Sequence, residues 1–163
     1  MYAFTSENEL AEYTVLHFAV SPSAYAHEPI LKQIQPHISK GTYVGAIPAP
    51  GCFDLMAKYT LGSEFIAEND IVIFGGSSLP WACRTTEYGR AVNLLGAKTV
   101  VDVTASPDLP ASNARLASLL TDMHHVTKYR VGGHFLITSM WPTNCIIHTC
   151  GNRSPSPCIQ IAF

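Results

Sequence analysis

Asn144 and His148 stand four residues apart in the segment TNCIIH. On a helix that spacing projects both side chains the same way, one turn apart. A histidine titrates near neutral pH and can both give and take a proton. An asparagine offers a carbonyl and an amide to a bound molecule. Pattern alone favours the plainer reading of His148, a helix-face histidine beside a polar tail. It serves Asn144 equally well as a helix N-terminal residue whose oxygen takes up backbone N–H groups. Cys145, His148 and Cys150 lie close together, but their spacing matches no familiar zinc pattern, so no metal is expected.

The stretch SSLPWACRTTEYGR, Ser77 to Arg90, gathers a tryptophan, a cysteine and an arginine just after an apolar segment. It reads either as a loop with an aromatic plug or as the wall of a site. Trp81 suits packing, because large aromatic rings mostly contribute buried area. Cys83 suits a small buried hydrophobe. Ser21, Pro22 and Ser23, and further on Pro48, are ordinary turn formers. They also sit at the C-terminal ends of apolar runs, where open α/β sheets bind ligands. His27 reads as a helix cap, and the pair His124 and His125 as an exposed helix end.

The elements that position these residues follow from hydrophobic periodicity. YTVLHFAV, residues 13–20, is an apolar run of strand length, rich in β-branched and aromatic residues. Pro29 then opens a helix with Ile30, Leu31, Ile34 and Ile38 on one face, bent at its end by Pro36 and stopped at Gly41. A strand over 42–48, a helix over CFDLMAKYTLG and a strand over 70–78 come next. Strands that are continuously apolar and alternate with helices signal a parallel sheet covered on its faces. Beyond Arg90 the rhythm changes. Two short apolar runs around GAK suggest a hairpin or a final strand pair. Leu116, Leu119, Leu120 and Met123 mark an amphipathic helix, and a further helix is expected from about Pro142. The tail from Gly151 is irregular and rich in proline and serine.

Composition narrows the partners. The chain is 47% hydrophobic and 13% charged, with a net charge of -2, so neither nucleic acid nor an anionic membrane surface is expected. No apolar run reaches the roughly 18 residues of a membrane span. The acidic N-terminus does not resemble a secretory signal. Five cysteines without framework spacing suit reduced thiols, and a cytoplasmic location is expected. A dinucleotide-binding sheet ordinarily carries G-x-G-x-x-G after its first strand. None occurs in these 163 residues.

Four segments together resemble the opine dehydrogenase family: FAVSPSAYAHEPILKQIQPHI, GAIPAPGCFD, SSLPWACRTTEYGRAVNLLGAK and GGHFLITSMWPTNCIIH. The third is the most specific, through its LPWACR and EYG elements. The resemblance implies an α/β fold: a Rossmann-type parallel sheet with flanking helices, incomplete here, followed by the start of a mainly helical second domain. It divides the chain into residues 1–108, the later part of an NAD(P)-binding domain; residues 109–150, the start of the substrate domain; and an irregular tail, residues 151–163. The implied activity is NAD(P)H-dependent reductive condensation of an amino acid amine with a 2-oxo acid such as pyruvate, so the implied partners are those small molecules.

The resemblance assigns proton transfer to His148, substrate contacts to Asn144, Cys83 and Ser77, and the cofactor cleft to Ser21, Pro22, Ser23 and Pro48. Ser77 departs from the glutamate of family members that take arginine, and Pro50 from their glutamine, which leans the expectation toward a small neutral amino donor. The glycine loop and the aspartate that partners the family's histidine are missing from the matched plan, so the chain as given is expected to be a poor catalyst. The competing readings are a non-catalytic product that associates with a full-length homologue through an exposed sheet edge, and a ketopantoate or glycerol-phosphate type dehydrogenase. LPWACR argues against the latter.

Overall fold

The computed structural model describes residues 15–18, 26–49, 52–87 and 90–140. The chain runs through β1 (Val15–Phe18), α1 (His27–Ile34), β2 (Tyr43–Ala46), α2 (Phe53–Leu61), α3 (Ser63–Glu68) and β3 (Val72–Gly76). It continues through β4 (Trp81–Glu87), β5 (Ala91–Ala97), β6 (Val100–Ser106), α4 (Pro110–His124), β7 (Lys128–Val131) and α5 (Phe135–Ser139). Five strands form one sheet in the order β1-β2-β3-β6-β7, and β4 and β5 form a separate two-stranded sheet.

The first half follows its sequence pattern closely. β1, β2 and β3 are parallel neighbours, each joined to the next through helices. Pro36 cannot donate to a helical ladder, and at that point α1 tightens into a single 3-10 turn, Gln35–His37. Gly62 ends α2 with a φ of +85°, a conformation open to glycine, and lets the chain restart at once as α3. α3 has no buried residue, which is why no hydrophobic period announced it.

Alternate residues of the strands feed two cores. Val44, Ala46 and Ile73 pack on one face against Leu31 and Ile34 of α1, Phe53, Ala57 and Leu61 of α2, and Phe135 of α5. Tyr43, Phe74, Val101 and Val103 pack on the other face against Leu116 and Leu120 of α4, with Tyr129 of β7. The result is a three-layer α/β arrangement.

The second half corrects two expectations. The sheet is mixed, because β6 runs antiparallel to β3, with Ile73 opposite Ser106 and Gly76 opposite Val103. The two apolar runs around GAK do not pair with each other. β5 turns back onto β4, and β6 enters the main sheet. Burial separates them: Val101, Val103 and Ala105 of β6 are core residues, whereas Leu94 and Leu95 of β5 are 56% and 63% exposed. β7 also went unforeseen, since Tyr129 is its one buried residue. It pairs in parallel with β6, and α4 covers both. α4 and β7, within the 109–150 segment, join the same sheet and its covering layer. The helix expected from Pro142 and the irregular tail lie outside the described residues.

β2 can lie this close to its neighbour only because residue 45 lacks a side chain. A Cβ on Gly45 would stand 2.5 Å from the ring of Phe74, itself fully buried. Gly45→Ala is expected to lower the unfolding free energy by about 1–3 kcal/mol through this overpacking, read as a lower denaturant midpoint at unchanged slope.

Candidate functional site

The parallel strands β1, β2 and β3 present their C-terminal ends along one edge, the edge at which sheets of this kind bind ligands. Behind β2 the chain continues through a cis Ile47–Pro48 bond into Ala49, all three residues being buried. The Ala49 N–H donates to the Gly76 carbonyl at 2.9 Å, stitching the ends of β2 and β3 together. Gly76 has no Cβ, and Ile47 fills that space. Pro48 and Ser77 thus share this edge.

Ser77 is occupied by its own fold. Its N–H donates to the Asp102 carbonyl at 2.8 Å, and its Oγ accepts the Asp102 N–H at 3.2 Å. The serine pins the end of β3 to β6 and is buried. Beyond it, Pro80 accepts the Lys98 N–H at 2.8 Å, which closes the base of the β4–β5 hairpin. Ser77 to Arg90 was expected to be a strand exit forming a cleft wall. The exit is real, but from Trp81 onward the segment is itself a strand. Cys83 lies on β4 in register with Leu94 of β5. Ser21, Pro22, Ser23, Asn144 and His148 lie outside the described residues.

Trp81 packs at the root of the hairpin. Its ring meets His124 edge to face, with centroids 4.7 Å apart. The hydroxyl of Tyr129 bonds to Nδ1 of His124. His124 is therefore half-buried between the hairpin and β7, not an exposed helix end; only His125 is exposed. Burial, with a smaller contribution from His125, holds the His124 imidazole below the ordinary histidine value, and burial pushes the Tyr129 hydroxyl up.

Sequence reasoning underweighted His27. It is the first residue of α1, 3% exposed, edge-on to Phe53 at 5.4 Å. Its Nε2 is buried without a hydrogen-bond partner among the described residues. Ala26, not His27, occupies the cap position. The signal available was facial: His27, Leu31 and Ile34 fall at i, i+4 and i+7, the buried stripe of α1. An orphaned polar atom at the helix that follows β1 fits an edge built to meet a polar ligand.

A second polar group joins distant parts of the chain. Lys58 Nζ donates to Ser106 Oγ at 2.7 Å, and the Ser106 hydroxyl donates to Asp54 Oδ2 at 3.1 Å. No sequence signal joins residues 48 and 52 positions apart. Among the described residues, no group of three or more His, Cys, Asp or Glu side chains is placed to hold a metal, and no helix is long and apolar enough to cross a membrane.

No protein-family model matches the chain. It is 28% identical over 114 residues to octopine dehydrogenase of Mizuhopecten yessoensis, covering 69% of this chain and 28% of that protein. It is 26% identical over 134 residues to tauropine dehydrogenase of Arabella iricolor, covering 79% of this chain and 32% of that protein. Its fold is similar to that of octopine dehydrogenase solved with NADH and L-arginine, at a TM-score of 0.64 and 26% identity, over 76% of this chain and 30% of the other. The chain thus spans about three-tenths of the length of the proteins it matches. The sheet and its helical layers match the Rossmann-type domain of octopine dehydrogenase. The chain is opine dehydrogenase-like.

Burial keeps His27 neutral in the folded chain at pH values where an unfolded histidine is protonated. The unfolded state then binds more protons, so stability rises with pH across that window. Stability is expected to be full above about pH 7 and to fall as pH drops through about 6.5, the ordinary histidine value. Thermal unfolding between pH 5 and pH 8 checks this, and His27→Gln should flatten the slope.

Proposed function

We propose that the chain forms the later part of the NAD(P)-binding domain of an opine dehydrogenase, an oxidoreductase that condenses an amino acid amine with a 2-oxo acid such as pyruvate and reduces the product. The observation that carries this reading is the joint agreement with octopine dehydrogenase, in sequence over 69% of the chain and in fold over 76%. The solved relative binds NADH and L-arginine. On this reading the cofactor, when bound, supplies the hydride.

The chain's own residues take the remaining roles. Ser21, Pro22, Ser23 and Pro48 line the cofactor cleft. His148 gives and takes the proton near neutral pH. Asn144, four residues before it, hydrogen-bonds the substrate, and Cys83 borders the amino acid. Ser77 supports a small neutral amino donor. It provides no carboxylate for a guanidinium, and its Oγ already accepts from Asp102. The protein works in the cytoplasm.

Two measurements test the reading. Sequencing the transcript on both sides of these 163 codons should reveal a G-x-G-x-x-G loop upstream and helical sequence carrying an aspartate and an arginine downstream; unrelated flanks would sink it. The 163-residue chain by itself should show no saturable NADH binding in a fluorescence titration, because the backbone cradle for the pyrophosphate is not among its residues. Micromolar binding would overturn that expectation.

A further inference from the structure

A cavity of about 350 Å³ opens between α2, the turn after β6 and α5. It lies beside the C-terminal end of β6. Since β6 runs against β3, this is the end of the sheet opposite to Ser77 and the ligand-binding edge. The cavity floor at Ser106 thus stands away from Ser77, while Phe135 of its lining reaches back toward Gly75.

Its polar groups form a chain with one open end. Lys58 donates to Ser106, Ser106 donates to Asp54 Oδ2, and Lys58 Nζ stands 3.6 Å from that same oxygen. Asp54 is only 8% exposed, and its other oxygen, Oδ1, is buried with no hydrogen-bond partner among the described residues. A carboxylate oxygen withdrawn from water without a donor carries its full desolvation cost, so the site is short of a donor, not of an acceptor.

The charges agree. Asp54 and Asp108 both line the cavity, against the single ammonium of Lys58. His134 uses its Nδ1 to accept the Leu136 N–H. The lining thus carries one negative charge in excess. An incoming anion would find Lys58 already shared between Ser106 and Asp54, and would face two carboxylates. Leu55, Pro107 and Leu136 supply an apolar wall.

We propose that this cavity binds a small organic monocation: a primary ammonium carried on a short apolar chain. The ammonium donates to Asp54 Oδ1 and faces Asp108, which neutralises the lining, while the chain lies against Leu55, Pro107 and Leu136. The cavity volume is at the lower end of small-molecule sites, which suits a ligand of a few heavy atoms.

The test is an amide NMR titration of the ¹⁵N-labelled 163-residue chain with n-butylammonium chloride, and in parallel with sodium butyrate, at constant ionic strength. Butylammonium should shift signals of residues 54–58 and 106–108 and saturate at roughly millimolar concentration, the range open to so small a ligand. Butyrate should leave them unmoved. Asp54→Asn should weaken butylammonium binding roughly tenfold through loss of a charge-assisted hydrogen bond. Asp108→Asn, at an exposed position that leaves the Asp54 network intact and keeps an oxygen to accept from Asn113 Nδ2, should weaken it several-fold in a chain that stays folded. Shifts that stay linear in butylammonium, equal or stronger effects from butyrate, or wild-type affinity in Asp108→Asn would each overturn the proposal. The Asp108 variant decides the matter even if Asp54→Asn does not fold.

Discussion

The two hydrogen bonds between Ser77 and the backbone of Asp102 fix the second half of this molecule. They set where β3 ends and where β6 enters, and thereby reverse the direction of the sheet. Asp102 then extends the constraint outward. Its carboxylate receives Arg130 Nε at 2.7 Å and Arg130 Nη2 at 3.2 Å, which ties β6 to β7 at paired positions. Arg130 is largely exposed, so this ion pair serves register more than stability. One residue thus holds a strand on each side, through its backbone on one and its side chain on the other.

How legible this was depended on how burial writes itself into sequence. β2 and β3 were readable because each is buried on both faces and so reads as a continuous apolar run. α1, α2 and α4 were readable because each buries a single stripe. The β4–β5 hairpin was not. Its residues are mostly exposed, so neither the continuous nor the alternating pattern appears, and Leu94 and Leu95 mimic a core strand without being one. β7 was missed because it contributes one buried residue, Tyr129, whose value lies in capping a core already made by β6 and α4.

The candidate site divides in the same way. Pro48 and Ser77 were recognisable as strand-end residues, since that position follows from counting along an apolar run. What Ser77 does there was not, because its partner Asp102 lies 25 positions away. His27 was visible as a member of a helix stripe, yet a histidine on such a stripe is ordinarily a satisfied core residue; only coordinates show that Nε2 lacks a partner. The Asp54–Ser106–Lys58 chain depends on α2 crossing over the end of β6, a fact of topology that local pattern does not encode.

The hairpin is closed at its base where Pro80 accepts the Lys98 N–H, and that base is held to the chain entering β7 where Thr127 Oγ1 donates to the Lys98 carbonyl at 2.8 Å. Among the described residues of the hairpin, Trp81 leans on His124 and most of the others are exposed. The sheet's geometry is consequently indifferent to what the hairpin contains. Its length, tip and outer faces can be exchanged as one cassette while β3 and β6 keep their register. That makes this segment the place where proteins sharing the scaffold can diverge at least cost to the fold.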